Sequence, residues 1–516
     1  MLTKSDLMSY AQCPRKLWLE KNQPQSAQRD VAAERRMREG VQVGSLARLA
    51  LGPSVIWMAV GDDKEAAAET AKKILNDRPD TPAVEVPMCY KGVYARADAL
   101  VPADRGYILQ ETKASSYPLN KDKTGPGKPD PHLVLDTAIQ AWVMANSGIP
   151  FSGAELNLLD NRWRYPGKGD YSGLFRQLDI MEEVMDEINR VPQLVEDARN
   201  VLASKTMPSA QTGKQCNSPH SCPFHSHCVK LDKPGPDHPI ELLPDSAGKL
   251  LAKKLKEKQG YVSLLEPAPV ELTGKAHDLY VRIQKAHRTG RAILEKGCNE
   301  AIDALPYPRY YFDFEGIDLA VPRWEGVRPY EQIPFQWSCH IEDAPGQFRH
   351  AEFLDLTGED PSLGCIKAML DTIDLTDNGP ILVYFVTYER GRLQELAERH
   401  PEYAPQLEVL ISRLVDLLPL VKSHYYHPDM RGSFSIKKVL PVIAPDLDYG
   451  ELEGVQDGIG AQLAYIEAAF EVAPDSPKKA EIERNSLKYC RQDTWAMVEV
   501  AWFLAQNGRP TRPEDM

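Results

Sequence analysis

The order of apolar and polar positions changes period several times along this chain, and each change marks an element. Residues 1–50 read as helix, with Leu17 and Leu19 flanking Trp18 and Pro14 placed in a first helical turn. From residue 83 the period shortens. Val84, Val86 and Met88 alternate with polar neighbours, and Val93–Leu100 and Tyr107–Thr112 follow on either side of the turn-forming residues 102–106. This pattern predicts a small sheet with Asp98 and Glu111 on adjacent strands. Residues 114–131, rich in Lys, Pro and Gly, predict a mobile loop. Leu135, Ile139, Trp142 and Val143 then recur at helical spacing and predict a helix over 132–147, with another near 176–204.

Lys233-Pro-Gly-Pro-Asp-His-Pro reads as a linker, and the Lys-rich amphipathic stretches of 244–300 as a helical spacer. Tyr310–Glu315 opens a new strand. Further strands are predicted at 335–341 and 381–386, and helices at 390–400, 405–420 and 480–506. Strands followed by helices in this order predict an α/β, multi-domain chain divided at 1–232, 233–305 and 306–516.

At 516 residues the chain exceeds one ordinary core, and its 42% hydrophobic and 26% charged residues are those of a folded, water-exposed protein. No stretch approaches the roughly twenty apolar residues of a spanning helix. The N-terminal residues lack the apolar run of a secretory signal. Nine cysteines, an odd number, argue against a disulfide framework and for a reducing cytoplasm. The net charge of −13 carries no basic footprint of a nucleic-acid binder. Any grip on phosphate therefore falls to local patches such as Arg29–Arg38 or Lys249–Lys258, each of which taken alone reads as a solvated helix face. No Gly-x4-Gly-Lys-Ser/Thr loop is present, so no ATP-driven motor is expected.

Three groups of residues carry chemistry. Glu111 and Lys113 point to one face of their strand, and a hairpin brings Asp98 beside them. Two carboxylates can hold a divalent cation, and the lysine can stabilise developing charge. Cys13 and Cys216-x5-Cys222-x5-Cys228 bracket this group. Four thiolates suit a [4Fe–4S] cluster, while His220, His225 and His227 nearby keep Zn²⁺ open as the alternative. The other cysteines, Cys89, Cys298, Cys339, Cys365 and Cys490, read as core residues. Finally, Asp313 and Glu315 share one face of an apolar strand, which tolerates such a pair only if something compensates its charge. Tyr489 and Asp493 lie one helical turn apart near the C-terminus.

Asp98 with Glu111-Thr-Lys113 resembles the PD-(D/E)xK nucleases. Gln140, in Ile139-Gln-Ala-Trp-Val143, and Glu85 resemble further motifs of the RecB-like members, and Gly44 stands where those enzymes usually carry a metal-binding His. The cysteine arrangement resembles iron–sulfur nucleases, including the CRISPR-associated RecB-like exonucleases. Asp313-Phe-Glu315 with Tyr489-x3-Asp493 is similar to the DnaQ-like DEDD exonucleases of RNase H-like fold, in the subtype with a tyrosine before the last acid. In that likeness Glu389 takes the place of the usual Asp, Phe385 the place of a common Asn, and Asp416 is a further candidate acid. The whole chain resembles a bacterial two-part family with a RecB-like half, a helical spacer and a DnaQ-like half, a likeness also carried by residues 328–338 and 432–441.

The resemblance implies a restriction-endonuclease-like first half and an RNase H-like second half. It implies a metal-dependent nuclease using Mg²⁺ or Mn²⁺ held by Asp313, Glu315, Glu389 and Asp493, with Tyr489 orienting the attacking water. The expected partner is nucleic acid rather than membrane. DNA trimmed 3′→5′, in repair or in defence against mobile elements, stands ahead of RNA 3′-end trimming. A non-catalytic nucleic-acid-binding scaffold is the remaining alternative.

Overall fold

The computed structural model describes residues 1–59, 61–232, 234–447, 450, 454–455 and 457–512; Lys233, the first residue of the expected linker, lies outside them. The chain divides into two compact units: residues 1–233 with 318–331, and residues 234–317 with 332–516. Both are built on mixed sheets flanked by helices. Among the described residues no helix is long and apolar enough to cross a membrane.

The first unit begins with β1 (Leu2–Thr3), α1 (Lys4–Gln12), α2 (Pro14–Asn22), α3 (Val31–Ala50), β2 (Ile56–Trp57) and α4 (Lys64–Asp77). The sheet strands follow: β3 (Ala83–Tyr90), β4 (Val93–Ala103), β5 (Gly106–Ser116), then α5 (Pro131–Ser147), β6 (Phe151–Leu159) and β7 (Phe175–Asp179). Helices α6 (Met181–Ile188), α7 (Val191–Ala203) and α8 (His225–Leu231) complete it. The sheet order is β2-β3-β4-β5-β6-β7, with β1 added beside β4. Lys91 and Gly92, at φ 44° and 71°, make a two-residue turn of the kind that matches strand twist, and β3 and β4 pair antiparallel around it. Val84, Val86 and Met88 are all fully buried, so the alternation read from the sequence faces a core. Asp130 caps α5 at its start, and Gly148, at φ 84°, ends it.

The second unit opens with α9 (Asp245–Gln259), α10 (His277–Thr289), β8 (Ile293–Leu294) and α11 (Cys298–Asp303). Its main sheet contains β9 (Arg309–Asp318), β10 (Gln332–Ala344), β11 (Gln347–Leu354), then, after α12 (Ser362–Thr372), β12 (Ile381–Val383). Next come α13 (Thr387–Arg399), α14 (Ala404–Ser412), β13 (Leu414–Asp416), α15 (Leu417–His424) and β14 (Tyr425–Tyr426). The chain closes with α16 (Ile436–Ile443), α17 (Gly458–Ile466) and α18 (Pro477–Leu504). The order is β11-β10-β9-β12-β13, with β10 and β11 antiparallel and β12 parallel to both β9 and β13. Alternation along β9 splits its side chains between two cores. Tyr310, Phe312 and Phe314 join the cluster with Ile366, Leu393 and Leu407, whereas Tyr311 joins the cluster with Ile283, Leu417 and Trp495. A strand buried on both faces reads as a continuous apolar run, as Tyr310–Phe314 does apart from its acid.

The structure corrects several expectations. Residues 176–204 hold strand β7 and two helices rather than one helix, because Leu178 pairs into the sheet edge and Pro192 starts a new helix at α7. The helix expected over 405–420 is broken by β13, which pairs alongside β12. The strand expected over 381–386 stops at Val383. Residues 244–300 are no spacer: Leu251, Leu255, Tyr280 and Ile283 are buried in the same core as Trp495 and Val498. Residues 318–331 leave the C-terminal half, since Ala320 and Val321 pack with Val43, Leu159 and Leu174.

One glycine tests this attachment of the supposed spacer. Gly432 has φ 77°, and a Cβ there would lie 2.2 Å from the Leu242 carbonyl oxygen. Gly432→Ala is expected to destabilise the second unit by about 2–3 kcal/mol in chemical denaturation. An unchanged midpoint would show that residues 240–242 do not pack there.

Candidate active site

Asp313 and Glu315 share the Tyr311 face of β9, the face that α18 covers. Helix α18, capped at Ser476 with Pro477 in its first turn, brings Tyr489 and Asp493 one turn apart over these acids. Among the described residues, one carboxylate oxygen each from Asp313, Glu315 and Asp493 lie within 4.8 Å of one another. Glu389, in the first turn of α13, is 2% exposed, stands close enough to raise Asp313 and keeps Oε2 buried without a hydrogen-bond partner. The four acids line one cavity together with Tyr388, Lys437, Asp457 and Tyr489.

Burial and then the neighbouring carboxylates push Asp313 well above the usual range. Burial, with Asp493 next, pushes Glu315 up to about 8. Burial above all pushes Glu389 up to about 8. Burial and the charge of Asp493 likewise hold the Tyr489 phenol protonated far beyond its ordinary value. Like charges this close cannot all ionise unless protons or cations compensate them. Position 316 admits no side chain: a Cβ on Gly316 would come within 2.8 Å of Gln332 Oε1 and 2.9 Å of the Tyr388 hydroxyl.

Sequence reasoning missed Lys437. Its ammonium donates to the Tyr489 hydroxyl at 3.1 Å and lies 5.0 Å from the ring centre. Asp457, the cap of α17, was also missed, and its charge contributes to the shift at Glu315. Lys437 falls in a segment that carried a family likeness, but no spacing signal ties it to a tyrosine 52 residues away. Asp416 stands beside the acid group. Its carboxylate accepts from the backbone N–H of Phe385 (2.9 Å), Val386 (3.1 Å) and Leu418 (2.9 Å).

In the first unit, β4 and β5 bring Asp98 to the Thr112 N–H, which donates to it at 2.9 Å. Gln140 donates to Glu111 at 2.8 Å from α5. Two residues unforeseen from the sequence complete the group. Lys4 of α1 lies 2.9 Å from both Glu111 and Asp136, while Lys113 lies 2.7 Å from Glu111 and 2.6 Å from Asp136. Asp136 precedes Gln140 by one helical turn, which is the one signal that could have found it. Burial opposes ionisation of Asp136, but Lys113 and Lys4 hold it below the ordinary carboxylate range. Asp98 is pushed up to about 7 by burial and by Glu111. Glu85 is turned to other partners, with Arg48 at 2.7 Å and Arg96 at 2.8 Å. Gly44 sits in α3 one turn before that arginine, and a Cβ there would meet the Arg48 guanidinium at 3.4 Å.

The four cysteines converge. Cys13 joins α1 to α2, Cys228 lies on α8, and all four line one small cavity with Arg15, Phe224 and His225. Gln12 donates to the carbonyls of Gln215 (2.9 Å) and His220 (2.8 Å), and Arg15 pairs with Asp232 at 2.7 Å, so protein contacts alone already tie the two ends together. Burial raises the thiols of Cys222 and Cys228, the latter partly offset by Arg15. The basic patches named from sequence are largely paired with acids. Arg29 meets Glu34, Arg35 meets Glu39 and Asp318, and Lys256 meets Glu241.

Residues 310–435 match the family described as "Domain of unknown function (DUF2779)", a span that holds Asp313, Glu315 and Glu389 and stops short of Tyr489 and Asp493. The chain is 27% identical over 219 residues to "Uncharacterized protein UU173" of Ureaplasma parvum serovar 3, covering 39% of this chain and 31% of that protein. It is 27% identical over 217 residues to "Uncharacterized protein MG366 homolog" of Mycoplasma pneumoniae, covering 39% of this chain and 32% of that protein. The match thus spans about a third of the length of these relatives. A solved chain described as "Crystal structure of SSO0001" aligns over 44% of this chain and 85% of that one, at 16% identity with a TM-score of 0.21, too low to bear on the fold.

The lysine-neutralised group yields a prediction. Lys4 is mostly buried, and its loss leaves Glu111 and Asp136 with Lys113 alone. Lys4→Met is expected to destabilise the first unit by about 3 kcal/mol, with added Mn²⁺ restoring part of the loss. Denaturation with and without the cation reads both effects, and a shift within experimental error would refute the pairing.

Proposed function

We propose that the second unit is a metal-dependent nuclease of RNase H-like fold that removes nucleotides from the 3′ ends of DNA. The observation that carries this reading is the meeting of Asp313, Glu315 and Asp493 within 4.8 Å, at a cavity that Glu389 also lines. The sheet order β11-β10-β9-β12-β13, with an antiparallel hairpin followed by parallel strands, supports the fold assignment. A donor set made only of oxygens suits Mg²⁺ or Mn²⁺. Such cations would polarise the scissile phosphate and make water nucleophilic at neutral pH. The chain's own residues do the rest. Tyr489, kept protonated and steered by Lys437 and Asp493, orients a water beside the acids. Gly316 lets Gln332 and the Tyr388 hydroxyl pack close against the strand next to Glu315.

The first unit, read as PD-(D/E)xK-like, serves in this proposal to hold nucleic acid. The specific observation is that Glu111 and Asp136 already have two lysine partners. Its four thiols, gathered at one small cavity, suit a [4Fe–4S] cluster, with tetrahedral zinc as the alternative.

With Mn²⁺ present, the full chain is expected to release mononucleotides from 3′-labelled DNA. Asp313→Ala with Asp493→Ala should lower the rate at least about a hundredfold. Faster digestion of matched RNA would move the substrate to RNA. Binding without cleavage, indifferent to these substitutions, would make the protein a scaffold.

Protein purified without air is expected to be brown, with absorbance near about 400 nm that is lost in Cys222→Ser. A colourless preparation carrying stoichiometric zinc would reverse the metal assignment.

A further inference from the structure

The segment between β12 and α13 contains a costly residue. Phe385 has φ 81°, a left-handed conformation in which a bulky side chain is an outlier. Asp416 holds it there by accepting from the Phe385 and Val386 amides. Its neighbours turn inward. Tyr384 donates its hydroxyl to the Phe434 carbonyl at 2.6 Å, and Val386 packs against the core that holds Phe312 and Leu393. Phe385 alone of the three points out, at 54% exposure. Its ring lines the cavity of the four acids. It also lines a second cavity, bounded by Lys249, Lys422, Ser433 and Ser435, and the two cavities share Tyr384, Phe385 and Ile436.

A strained backbone that turns an aromatic ring outward, where two cavities meet, suits a flat ligand that must be gripped without regard to sequence. Nucleobases stack on aromatic rings for about 1–3 kcal/mol each. We propose that Phe385 is a stacking platform for the nucleobase next to the 3′ terminus, and that the adjoining cavity receives the nucleotide after it. The occupant is a single strand, because a base paired and stacked in a duplex cannot offer its face to a side chain. Lys422 is neutralised by Asp245 at 2.9 Å. Lys249 uses one N–H on the Glu241 carbonyl at 3.1 Å, and an ammonium has two further N–H groups for a phosphate, which the Ser433 and Ser435 hydroxyls can also contact. This inference rests on the nuclease reading of the second unit.

The test compares Phe385→Gly and Phe385→Trp with wild type in the full chain, with Mn²⁺, on 3′-labelled single-stranded and blunt duplex DNA. Glycine accepts a positive φ without strain, so Phe385→Gly should melt no lower than wild type, and lost activity cannot be put down to misfolding. Phe385→Gly is expected to raise KM on single strands about tenfold with a smaller change in kcat, and Phe385→Trp to keep the wild-type KM. An abasic site at the penultimate nucleotide should weaken wild type by a similar factor and add nothing to Phe385→Gly. If wild type cleaves but Phe385→Gly leaves KM unchanged, or the abasic effect adds in full, the stacking role is overturned while the nuclease reading survives. If wild type cleaves neither DNA nor RNA, both fall together.

Discussion

Carboxyl groups buried against one another organise the second unit. Asp313 and Glu315 occupy one face of a strand whose other face sends Tyr310, Phe312 and Phe314 into a core, so β9 cannot shift by one residue without burying both acids in the Phe312–Leu393 core. Helix α18 must then cover that face, and it does so with a polar turn carrying Tyr489 and Asp493 between apolar residues such as Ile482 and Val498. Glu389 comes from a third element and completes the crowding. An arrangement this repulsive is held by the packing of two cores around it, and it is relieved by protons or by cations.

The first unit meets the same physical difficulty in another way. Glu111 and Asp136 are as deeply buried as the acids of the second unit, yet Lys4 and Lys113 stand between them. Two acid groups that look alike as sequence motifs therefore differ in charge balance. That difference is why hydrolysis is proposed for one centre and holding of nucleic acid for the other. The cysteine ring belongs to the same logic of attachment. Gln12, Arg15 and Trp18 anchor the N-terminal helices to residues 204–232, and the four thiols gather inside that joint.

Acids also serve where no reaction is proposed. Asp416 looks, in sequence, like one more ligand, but its oxygens are taken up by three amides at the turn that strains Phe385. Glu85 is similarly engaged by two arginines. A carboxylate satisfied by backbone or guanidinium donors has less to offer a cation.

What the sequence determined by itself is local and periodic. The strands read at Val93–Leu100, Tyr107–Thr112 and Tyr310–Glu315 put Asp98, Glu111, Asp313 and Glu315 on β4, β5 and β9, and the one-turn spacing of Tyr489 and Asp493 held on α18. The cysteines drew attention because a Pro- and His-rich segment offers them no core. Only the tertiary structure decided which charges meet. Lys4 reaches Glu111 across 107 positions, Lys437 reaches Tyr489 across 52, and Asp416 turns to the Phe385 amide rather than to the other acids. Contacts of that range leave no periodic trace, since they depend on how whole elements pack. The same holds for residues 244–300, whose amphipathic helices look like a spacer until the core they cover is in place.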